Sequence, residues 1–129
     1  MLADARASGV VRTLTGRRRL VPELSSKNGM IRGASERETV NMPIQGTAAD
    51  VLKKAMIDVH AALAAYNKGR TSPARMILTV HDELLFEAPH ADAEPVAELV
   101  KDVMQRAFPL SVPLDVDVGI GANWTEAKP

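Results

Sequence analysis

The sequence predicts an α+β fold, an antiparallel sheet of two hairpins plus a C-terminal strand covered by about three helices. Three observations carry that expectation. Two pairs of short apolar or β-prone runs are each separated by a few turn-forming or polar residues; longer stretches repeat their apolar residues every three or four positions; and Leu114, Val116 and Val118 alternate with Asp115 and Asp117 near the end.

In chain order, residues 1–9 read as the tail of a helix ended by Gly9, cut from something upstream. Val10 to Leu14 and Arg18 to Pro22 flank Thr15-Gly16, where glycine supplies the positive φ of a tight turn. Ser25 to Gly29 is a loop, and 32–41 has helical composition. Pro43 predicts a break, because it lacks a backbone donor and disfavours helical geometry at Met42. A second helix then follows, with Ile44, Ala48, Leu52, Ala55, Val59, Leu63 and Tyr66 as its core-facing stripe. Met76 to Val80 and Leu84 to Ala88 form a hairpin with His81-Asp82-Glu83 at its tip. Asp92 is positioned to cap a third helix that tolerates Pro95 in its first turn and buries Val96, Leu99, Val100, Val103 and Ala107. Residues 112–118 make the last strand, with one wet face.

A chain of 129 residues with 46% hydrophobic and 25% charged residues has the size and composition of one globular domain. Its four aromatic residues, Tyr66, Phe86, Phe108 and Trp124, give no platform for stacking single-stranded bases. Without cysteine there is neither a disulfide framework nor a thiolate metal site, which fits a cytoplasmic protein. No leader pattern and no apolar run of membrane-spanning length is present. Charge is segregated: residues 1–70 hold twelve Lys and Arg against six Asp and Glu, whereas 71–129 hold four against ten. The first half suits a polyanion and the second suits cations, although helix surfaces that drew different charges give the same count.

Three groups could carry chemistry. Asp82 and Glu83, beside His81, are hard oxygen donors of the kind magnesium takes one or two at a time; a solvated turn has the same composition. Arg17, Arg18 and Arg19 suit phosphate contacts, with Arg17 and Arg19 on one strand face and Arg18 on the other, and charge on an edge strand also blocks unwanted pairing. Arg37, Asn41 and Gln45, four apart, offer donors to acceptors in the minor groove, or form a plain polar helix face. His60 and His90 read as surface or structural residues.

Taken together these segments resemble the family A DNA polymerases. Val80-His81-Asp82-Glu83 is similar to the family's carboxy-terminal catalytic motif. Glu36-Arg37 with Asn41 to Asp50 resembles the helix before it, Thr13 to Arg19 the hairpin upstream, and Gly119 to Trp124 the terminal segment. The likeness runs from about Val10 to Lys128 and implies that 1–129 is the C-terminal part of a polymerase palm, with 10–129 the palm segment proper. It implies that Asp82 is one of two aspartates holding a catalytic Mg²⁺ pair, with Glu83 supporting and His81 near the primer terminus. It also implies that Arg37, Asn41 and Gln45 touch primer-template DNA near the newest base pair, and that Arg17 to Arg19 lie near the duplex or the incoming deoxynucleoside triphosphate.

The resemblance has gaps. No counterpart exists here of the first palm motif, which brings the other aspartate, or of the fingers helix that grips the nucleotide. The chain is therefore expected to need a missing upstream polymerase segment and to be inactive alone, as a gene fragment or a split-gene product. Apolar surface is expected to be exposed over 77–86 and 96–103, with self-association or a loosened fold as the consequence. Two other classes compete: a non-catalytic duplex DNA-binding remnant, against which zero net charge counts, and a metal-dependent phosphoesterase built on Asp82 and Glu83.

Overall fold

A computed structural model describes all residues, 1–129, and divides them into two compact units, Met1–Asp50 and Val51–Pro129. The fold class is α+β, as the sequence predicts, but the two hairpins form two separate two-stranded sheets.

In the first unit α1 (Leu2–Ser8) ends at Gly9, whose φ of 71° is the left-handed cap a helix terminus needs and whose N–H donates to Ala5 O at 2.8 Å. Strands β1 (Val10–Arg12) and β2 (Arg18–Leu20) pair antiparallel, with Val11 opposite Arg19 and Arg12 opposite Arg18. The connecting turn is closed by Gly16 N–H donating to Thr13 O at 3.0 Å, with Gly16 at φ 88°. Ala5, Val11, Val21 and Leu24 make a small core on which Leu2 and Met42 pack.

The long helix α2 (Gly29–Tyr66) begins at Asn28, whose Oδ1 accepts the N–H of Met30 at 3.0 Å. It runs through Pro43 without the expected break. A mid-helix proline costs roughly 3 kcal/mol by removing one backbone bond and crowding the preceding turn. Tertiary contacts hold the helix on either side of it: Thr39, Thr47 and Asp50 are buried and Met42 packs on the core. The expected apolar stripe fails in this half. Ile44 is 73% exposed and Ala48 is also exposed, while the buried positions are the polar Ser35, Thr39, Thr47 and Asp50. At Thr47 and Asp50 the hairpin meets this face through Thr13, Thr15, Arg17 and the N–H of Leu14, so burial there follows hydrogen bonding and not hydropathy.

In the second unit the stripe holds. Val59 and Leu63 of α2, together with Ala74, Val96 and Val100, form the core, and Ala55 is buried on the same helix face. Strands β3 (Arg75–Val80) and β4 (Glu83–Glu87) pair antiparallel with an irregularity between Met76 and Leu78. The amphipathic α3 (Ala93–Gln105) buries Val96 and Val100 as expected, so its apolar face is covered and the exposure foreseen over 96–103 does not occur. Over 77–86 the exposure is confined mainly to Ile77 and Leu78, with Leu84, Leu85 and Phe86 half-buried. Asp92 does not cap α3 with its side chain; its Oδ1 accepts from Tyr66 Oη at 3.1 Å and from Arg70 at 2.9 Å. Residues 112–118 are not a strand. Leu114 and Val116 are half-buried and Asp115 and Asp117 exposed, but Val112 and Val118 are exposed too, so the alternation holds only over 114–117, and no neighbouring strand pairs with them. The chain ends in α4 (Trp124–Ala127), where Asn123 and Glu126 cap each other. No helix is long and apolar enough to cross a membrane.

Candidate active-site turn and nucleic-acid interface

Val80 pairs with Glu83, so only His81 and Asp82 form the turn between β3 and β4, and Glu83 is the first residue of β4 instead of a tip residue. Two-residue hairpin turns require positive φ at the first central position, or at both, which normally selects glycine or asparagine. His81 occupies that conformation, at φ 53°, and is the one non-glycine residue that does. All three residues of His81-Asp82-Glu83 are exposed. Neither carboxylate enters an ion pair with any Lys or Arg of the chain.

Two adjacent, unpaired carboxylates match the one or two that Mg²⁺ takes from a protein, the remaining positions going to water and phosphate. No third Asp, Glu, His or Cys joins them in a group able to hold a metal ion. The donor set fits a shared magnesium site and falls short of a self-sufficient one.

In the first unit, the continuity of α2 puts Arg37, Asn41 and Gln45 on one face, since residues four apart are neighbours on a helix. All three are exposed. Arg37 and Asn41 border a shallow depression with Leu2, Glu36 and Val40.

The three arginines of β2 and its turn part ways. Arg17 Nε donates to Asp50 Oδ1 at 2.5 Å, Arg19 pairs with Glu38 at 2.9 Å, and Arg18 pairs with no carboxylate. Arg17 belongs to a polar node around the buried Asp50 that sequence reasoning missed. Asp50 Oδ2 accepts from Thr13 Oγ1 at 2.7 Å and from Thr15 Oγ1 at 2.5 Å, while Thr47 Oγ1 accepts the N–H of Leu14 at 3.1 Å. The hydroxyls of Thr15 and Thr13 and the guanidinium of Arg17 stabilise the ionised carboxylate and pull Asp50 from 3.8 down to about 2. Gly46 lies under this node, where a Cβ would meet Thr13 Cγ2 at 2.6 Å. The signal available in the sequence was the Gly46-Thr47-Ala48-Ala49-Asp50 run itself; its partners lie more than thirty residues away, beyond any local pattern.

The profile of DNA polymerase family A matches residues 1–126. The chain belongs to that family. This family A chain is 51% identical over 127 residues to the thermostable DNA polymerase I of Thermus caldophilus, covering 98% of the chain and 14% of the relative. It is 50% identical over 125 residues to DNA polymerase I of Bacillus subtilis and 54% identical over 123 residues to that of Deinococcus radiodurans, covering 14% and 12% of those proteins. It therefore spans about one seventh of the length of the relatives it matches. Among solved structures it is similar to the POL domain of Pol1 from M. smegmatis in complex with DNA primer-template and dNTP, with a TM-score of 0.88 at 45% identity over 98% of this chain and 22% of that one.

Proposed function

We propose that this chain is the part of a DNA-directed DNA polymerase that supplies one metal-binding aspartate and a set of primer-template contacts, and that it catalyses template-directed nucleotidyl transfer only together with an upstream polymerase segment. The observation that carries this reading is the β3–β4 turn, which holds the Asp82 carboxylate free of internal partners beside Glu83. Asp82 is the residue that would hold Mg²⁺, with Glu83 beside it. A bound ion would supply Lewis-acid chemistry and charge neutralisation at the transferred phosphate. One aspartate on one turn leaves such a site incomplete, which is why the chain alone is inactive.

The remaining roles fall to side chains of the two units. His81 can donate to the primer terminus from its exposed position on the turn. Arg37, Asn41 and Gln45 present donors along one helix face, and the minor groove offers an acceptor at every base pair, so these contacts reward duplex geometry without reading sequence. Cationic residues of the β1–β2 hairpin hold backbone phosphate. Primer-template DNA and deoxynucleoside triphosphates are the substrates.

The test is primer extension with primed template, deoxynucleotides and Mg²⁺, by the chain alone and mixed with a separately expressed upstream segment of a DNA polymerase I. Extension in the mixture only, lost in Asp82→Ala, is the expected result. Extension by the chain alone would refute the shared site. DNA binding without extension in the mixture would leave a non-catalytic duplex-binding protein.

A further inference from the structure

The β1–β2 hairpin has two unlike faces. Successive side chains of a strand point to opposite sides. One side carries Val11, Arg17 and Arg19, of which Val11 is buried and the arginines are neutralised by Asp50 and Glu38 of α2. The other carries Arg12 and Arg18, which the ladder sets directly opposite each other, with Leu20 beyond them 73% exposed.

Directly opposed residues of an antiparallel pair have Cβ atoms roughly 4.5–5.5 Å apart, and like charges so placed destabilise the ladder. Neither arginine has a carboxylate to relieve this; the one internal partner is Gly16 O, which accepts from Arg12 at 3.3 Å. Two exposed guanidinium forks side by side match the oxygens of a phosphate. Meanwhile Asp50, with Thr13 and Thr15, fixes the turn from beneath, so the pair is carried on a braced hairpin.

We infer that Arg12 and Arg18 together form a phosphate site that takes one backbone phosphodiester of duplex DNA. Arg12 thereby joins the interface, and Arg18 is the phosphate-binding member of the Arg17-Arg18-Arg19 run. The choice of DNA as the source of the phosphate rests on the polymerase reading; the phosphate chemistry does not.

The test is binding of the full chain to a labelled DNA duplex by fluorescence anisotropy across a salt series. Neutralising one phosphate contributes about 0.9 to the slope of log K against log salt on duplex DNA. Arg12→Gln/Arg18→Gln should lower that slope by about 0.9, the value for one phosphate, and should raise the melting temperature because the opposed charges are gone. Arg12→Lys/Arg18→Lys should keep the slope, as should Lys101→Gln, an exposed position of the second unit. An unchanged slope in the double glutamine variant, or no salt-dependent binding by the unsubstituted chain, would overturn the site. A fall of about 1.8 would mean two independent phosphates and overturn the shared one. Displacement of the duplex by deoxynucleoside triphosphate from the unsubstituted chain but not from the glutamine variant would assign the pair to free triphosphate instead. Primer extension in the mixed system is scored separately, so loss of this site and loss of the polymerase reading are distinguishable.

Discussion

Two acidic residues of this chain have opposite surroundings. Asp50 is buried on α2 and saturated with donors from Thr13, Thr15 and Arg17. Asp82 is exposed on a two-residue turn with no cation beside it. A carboxylate held by three internal donors is already committed and has little left to offer a ligand, whereas one without partners is available to a metal ion. The same distinction divides the arginines, where Arg17 and Arg19 are satisfied by α2 and Arg12 and Arg18 are not.

Exchanging the roles of the two aspartates is the strongest way to break that comparison. Asp82→Ala should reduce primer extension by the mixed system to background while leaving the unfolding free energy of the chain within the scatter of a surface change, about ±0.5 kcal/mol. Asp50→Ala should do the reverse in order of effect, lowering the melting temperature first and activity only through loss of folded protein. A large stability loss in Asp82→Ala would mean that the turn aspartate has a structural duty, and the division would fail.

Next in size is the apolar core of the first unit. Leu24 is 1% exposed and belongs to a cluster of only four buried side chains. Leu24→Ala should cost about 2–5 kcal/mol, measured by chemical denaturation. A smaller loss would show that the Asp50 node, and not the aliphatic cluster, is the main anchor of this unit.

The node also has a pH signature. Because Asp50 titrates near 2 when folded and near 3.8 otherwise, the folded state favours its ionised form. That stabilisation is complete above the unfolded value and is lost as pH falls from about 4 towards about 2. A melting curve of Asp50→Asn against the unsubstituted chain should show a difference that shrinks through this window. A constant difference down to pH 2 would mean that the charge of Asp50 contributes nothing.

The same contrast explains what could be read from sequence. Gly9, Gly16 and the α3 stripe were legible because each depends on residues within a turn or two of chain. The buried polar face at Thr47 and Asp50 was not, since its partners Thr13, Leu14 and Arg17 are distant in sequence and polar burial leaves no hydropathy period. Pro43 misled because local propensity was outweighed by packing on both sides of it. The stretch 112–118 misled for the opposite reason: alternation specifies which side chains face inward but not which strand supplies the hydrogen bonds. In the candidate site, His81-Asp82-Glu83 was visible as a family motif, while the two-residue turn and the conformation of His81 were not.

The smallest expected effect concerns that conformation. A non-glycine residue in the left-handed region costs about 1–2 kcal/mol, and His81 at φ 53° bears that strain with no compensating contact from its exposed ring. His81→Gly removes the strain but gives the unfolded chain additional freedom worth roughly 0.5–1 kcal/mol. The net should be a slight gain in stability, between about 0 and about 1.5 kcal/mol, together with weaker extension in the mixed system because the donor at the turn is lost. Stability and activity moving in opposite directions would mean that the strain is tolerated in order to hold an imidazole beside Asp82. Stability falling with activity would mean instead that the ring supports the hairpin, and His81 would join Asp50 among the residues committed to the fold.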